Sequence, residues 1–104
     1  MDEETLNKVQ YNVGVAMRFN PQFRTHKGRG ALVDYIKALG IKCSIESITR
    51  SQRHLWTLAL KALLQGNTEY AFQLLPKDFN EFEEWCRIRK VDAELYRRYY
   101  GKDS

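Results

Sequence analysis

The chain has 104 residues, 43% hydrophobic and 29% charged, with a formal net charge of +4; this length suits one domain, 1–104, and this composition excludes a disordered or membrane-embedded chain. No apolar run approaches the ~20 residues that would span a bilayer. The acidic opening MDEETLNK lacks the basic-then-apolar pattern of a secretory leader, so the cytoplasm is the expected compartment and no membrane partner is expected.

Apolar residues at Leu6, Val9, Val13, Ala16 and Met17 have the spacing of one helical face and predict a first helix over about 3–18. Asp2, Glu3 and Glu4 suit the positive end of its dipole, and Asn20-Pro21 ends it. The stretch NPQFRTHKGRG, residues 20–30, reads as a loop. A second helix over about 31–39 follows, with Leu32, Ile36 and Leu39 facing inward and Gly40 closing it.

Ser44 precedes the longest periodic signal in the chain, from Ile45 through Leu63, and Gly66-Asn67 closes it. This predicts a central helix at about residues 45–65 on which the others pack. Leu58, Leu60 and Leu64 widen its apolar surface beyond one stripe, so other helices or a second chain must cover it, and a homodimer is the expectation. Thr68 is a candidate cap for a short helix ending before Pro76. Asp78 or Asn80 starts the next, with Phe79, Phe82, Trp85 and Cys86 on one face, ending near Arg89 or running on through Val91, Leu95 and Tyr99. With no strand-like alternation and no hairpin signal, the expected class is all-α, a compact bundle of five or six helices.

Charge is grouped along the chain. Residues 18–61 hold nine cations and two anions, and residues 62–84 hold one cation and five anions. A block carrying +7 points to a polyanion or an acidic protein surface as partner. Within it, Arg24, Lys27 and Arg29 lie with Gly28 and Gly30 just ahead of a helix, a composition able to hold a phosphate, although the nucleotide-binding P-loop pattern is absent. A solvated basic loop has the same composition.

Residues 31–55 have the outline of a helix-turn-helix with Ser44–Gln52 as the reading element, in which Ser44, Glu46, Ser47, Thr49, Arg50 and Arg53 would meet bases and phosphates. The apolar Ile45 and Ile48 come one residue early for that motif, a shift that turns the second helix by about 100°. An ordinary helical corner is therefore expected. Further on, RIRKVDAELYRRYYG interleaves Arg87, Arg89, Lys90, Arg97 and Arg98 with tyrosines, a mixture that suits single-stranded nucleic acid but also an amphipathic terminal helix.

Chemistry is not evident. His26 and His54 have no metal-ligand spacing, and the separated Cys43 and Cys86 are expected as buried thiols, so no metal, cofactor, catalytic residue or enzymatic activity is expected. Trp56 and Trp85 read as core anchors whose indole N–H groups need partners.

The composite expectation is a small, basic, helical nucleic-acid-binding protein with an accessory or regulatory role, DNA or RNA unresolved. Its phosphates would be met by Arg24, Lys27, Arg29, Arg50 and Arg53, with Arg97 and Arg98 as additions. The alternative is a protein–protein adaptor or inhibitor that docks through Phe79, Phe82 and Trp85, aromatic anchors rimmed by the carboxylates of DFNEFEEW.

Overall fold

A computed structural model describes residues 2–77 and 79–90, among which there are five α-helices and no strand. Helix α1 spans Glu3–Phe19, α2 Arg29–Ala38, α3 Ile45–Leu64, α4 Thr68–Leu74 and α5 Phe79–Ile88. The class is all-α, a helical bundle, as the periodicity predicts.

Each helix boundary has a local cause. The Asp2 side chain accepts from the Thr5 backbone N–H at 2.8 Å, so Asp2 is the N-cap of α1 rather than part of its first turn. That hydrogen bond holds its carboxyl below the usual carboxylate range. Asn20 ends α1 in an extended conformation, and Pro21 opens a short 3₁₀ turn, Pro21–Arg24. Ser44 and Ser47 form a reciprocal capping box at the start of α3. Gly40 and Gly66 follow α2 and α3 with φ of +82° and +87°, the left-handed geometry in which glycine meets no steric penalty.

Two boundaries differ from expectation, and a third, the end of α5, falls at the nearer of the two positions expected. The loop over 20–30 is two 3₁₀ turns, and α2 begins at Arg29, two residues early. The cap of α4 is Asn67, whose side chain accepts from the Tyr70 N–H, not Thr68. Helix α5 ends at Ile88, with Lys90 at φ 57°, a conformation that breaks the helix before Val91. Residues 91–104 lie outside the described residues.

Helix α3 packs on α1, α2 and α4. Val9, Val13, Met17, Leu32, Ile36, Ile48, Trp56, Ala59 and Leu74 are buried along these contacts. The apolar excess of α3 is largely met within the chain, since Leu60, Ala62 and Leu63 are buried and Leu58 is half-buried, leaving Leu64 exposed. The packing accounts for most of the surface that suggested a second chain.

Helix α5 joins α3 through aromatic side chains. Trp56 meets the rings of Phe82 and Trp85 edge-on, with centroids 6.0 and 5.6 Å apart, and Phe82 stacks on Trp85 at 5.8 Å. Such pairs combine large buried area with preferred ring geometry. Phe82 and Trp85 are therefore core residues and are not available as anchors for a protein partner. The side chain of Phe79 lies outside the described residues.

Candidate anion-binding groove

The basic stretch 23–30 folds inward. Arg24 is 7% exposed, and its Nη1 donates to the carbonyls of Phe72 and Leu75 at the C-terminal end of α4. Carbonyls in the last turn of a helix are open to a side-chain donor, and a cation there also meets the negative end of the helix dipole. The Arg24 carbonyl in turn accepts from the Lys77 N–H at 3.2 Å.

Arg29, 5% exposed, is the hub of a buried polar network. Its Nε donates to Gln52 Oε1 at 2.5 Å, and Gln52 Nε2 donates to the Phe23 carbonyl at 2.6 Å. Arg29 Nη1 lies 2.8 Å from His26 Nδ1; a guanidinium can only donate, so Nδ1 accepts and the ring proton sits on Nε2. Arg29 Nη2 lies 2.5 Å from Glu81 Oε1 without the angle of a hydrogen bond, so charge joins this pair.

Gly28 serves the same packing. A Cβ there would stand 2.1 Å from the Gln22 carbonyl oxygen, so the position admits only glycine unless the backbone moves. Thr25 closes the turn by accepting from the Gly28 N–H. Arg24 and Arg29 thus hold the loop to α3, α4 and α5, and the expectation that they present a phosphate site is corrected. Lys27 remains exposed.

Arg50 and Arg53 behave differently. Both are exposed on α3 and line a groove of about 800 Å³ between α3 and α5. Glu46, Arg50, Arg53 and Thr57 recur at helical spacing along this wall, beside His54. Trp85 of α5 and Arg89, in the turn just past its end, supply the opposite wall. The bulky aromatic bridge between the helices explains why a groove remains there.

Arg50, Arg53 and Arg89 form no ion pair among the described residues. The Arg89 guanidinium carbon lies over the Trp85 ring, 5.1 Å from its centroid, a favourable cation–π placement. The Thr49 and Thr57 hydroxyls donate to the Ile45 and Arg53 carbonyls at 3.0 and 3.2 Å, leaving their lone pairs. Contrary to the sequence expectation, the indole N–H groups of Trp56 and Trp85 have no hydrogen-bond partner among the described residues.

Other candidates are dispersed. Arg97 and Arg98 lie outside the described residues. Cys43 is buried with its thiol near the Val33 carbonyl, away from the groove that His54 lines. Burial raises the Cys43 pKa above its ordinary value, opposite to what a nucleophilic thiol needs. Among the described residues no cluster of three or more His, Cys, Asp or Glu side chains is placed to hold a metal, and no helix is long and apolar enough to cross a membrane.

Sequence reasoning did not join Arg89 and His54 to Arg50 and Arg53. The available signal was Trp85 with Arg89 four residues on, neighbours on one helix face. No protein-family model, curated protein or solved structure matches this chain.

Proposed function

We propose that the protein is a non-enzymatic nucleic-acid-binding protein, accessory or regulatory in role, and that Arg50, Arg53 and Arg89 meet the phosphates in the α3–α5 groove. The observation that carries this reading is the convergence of three arginines without ion-pair partners among the described residues, two from α3 and one from the turn after α5, on one concave surface. The lining sets three guanidinium groups against one carboxylate, Glu46, and a cleft with such an excess of one sign attracts a polyanion more strongly than the same charges spread over a convex surface. The three guanidinium groups also match phosphate oxygens in donor geometry. The adaptor reading lost its main support when Phe82 and Trp85 proved to be core residues.

Fluorescence anisotropy of labelled oligonucleotides across a salt series tests the proposal. Wild-type affinity is expected to fall steeply with salt, because phosphate neutralisation releases counterions. Each of Arg50→Ala, Arg53→Ala and Arg89→Ala should flatten the log–log slope by about one. Lys27→Ala, outside the groove, should leave it unchanged. Absence of binding at low salt, or a slope that the groove variants do not alter, would refute the proposal.

A further inference from the structure

We infer that the groove takes a single strand rather than a duplex, with a base stacked on the face of the Arg89 guanidinium over Trp85 while its edge meets a phosphate, and the neighbouring phosphates on Arg50 and Arg53; this rests on the groove being the nucleic-acid site. The first reason is shape. A duplex is read by an element that protrudes into its groove, usually a helix with its reading face clear of neighbours. Here Arg50 and Arg53 line a depression whose other wall is α5, so α3 does not present them on a projecting ridge.

The second reason is that the Ser47 and Thr49 hydroxyls have no free proton to offer a base edge. The Ser47 hydroxyl donates to the Ser44 carbonyl inside the capping box, and the Thr49 hydroxyl donates to the Ile45 carbonyl. The arginines that remain on this wall can follow a backbone as readily as read a base edge, so nothing on it requires a duplex.

The third reason is the Arg89–Trp85 pair. Trp85 is fixed beneath Arg89 by Trp56 and Phe82, so the guanidinium has a rigid aromatic support on one side, while Arg89 as a whole is exposed. Unpaired bases stack on arginine guanidinium planes as they do on aromatic rings, and bases within a duplex have no free face to offer. Trp85 itself is 3% exposed, so the face open to a base is that of the guanidinium.

The test compares a labelled oligothymidylate with a duplex of the same length at low salt, using wild type and Arg89→Lys, which keeps the charge and removes the planar guanidinium. Arg89 is exposed, so the variant is expected to fold, and circular dichroism checks this. The expected result is tighter binding of the single strand, weakened about five- to tenfold in Arg89→Lys as the stacked base is lost, with duplex binding little changed. Equal or tighter duplex binding would overturn the inference while leaving a nucleic-acid site. Equal single-strand affinity of wild type and Arg89→Lys would overturn the stacking role. If neither oligonucleotide binds, both the inference and the reading beneath it fail.

Discussion

Within the basic block 18–61, Arg24 and Arg29 end inside the molecule, whereas Arg50 and Arg53 stay at the surface opposite Arg89, just past the end of α5. All are arginines in similarly polar stretches of sequence. Arg24 and Arg29 reach the interior because acceptors wait there: the last carbonyls of α4 for one, Gln52, His26 and Glu81 for the other. A buried guanidinium is tolerable only with such partners. Arg50 and Arg53 have no comparable acceptors and retain their hydration. The same residue type is therefore structural in one region and accessible to a ligand in the other, and local composition does not distinguish them.

Substitutions sharpen this contrast. Arg29→Ala should have the largest effect, a loss of about 3 kcal/mol or more in urea denaturation, because it removes one partner of a buried ion pair and the hub of its network. An effect below 1 kcal/mol would show that the network is not holding the loop. Gly28→Ala comes next, with a loss of about 1–3 kcal/mol, since the new Cβ must displace the Gln22 backbone.

Gly30→Ala, two residues on, meets nothing within 4 Å and should raise stability by about 0.5–1 kcal/mol, as expected for alanine replacing glycine in a helix. Opposite signs at these neighbouring glycines in thermal unfolding would separate close packing from mere loop flexibility. Arg50→Ala and Arg53→Ala should have the smallest effect on stability, within about 0.5 kcal/mol, because exposed side chains without partners contribute little. A loss as large as that of Arg29→Ala would erase the distinction between the two regions.

Much of the fold was legible because its signals are local. Helical spacing placed α1 and α3 to within a residue or two, Ser44 and Gly40 marked boundaries, and Asn20-Pro21 marked a break. The candidate site was only half legible. Arg50 and Arg53 were visible as cations on one helix, but their meeting with Arg89 depends on where α5 docks. Arg24, Arg29, Phe82 and Trp85 looked available because their sequence neighbours are polar.

The sequence by itself determined the helices, their main breaks and the grouping of charge, since these follow from spacing and side-chain chemistry over a few residues. The tertiary structure decided which charges face water. That outcome depends on acceptors 23 and 51 residues away, Gln52 for Arg29 and the Leu75 carbonyl for Arg24, and on the aromatic bridge that sets α5 beside α3. Burial of a charge is settled by the partners that the folded chain brings to it, and those partners are not its neighbours in sequence.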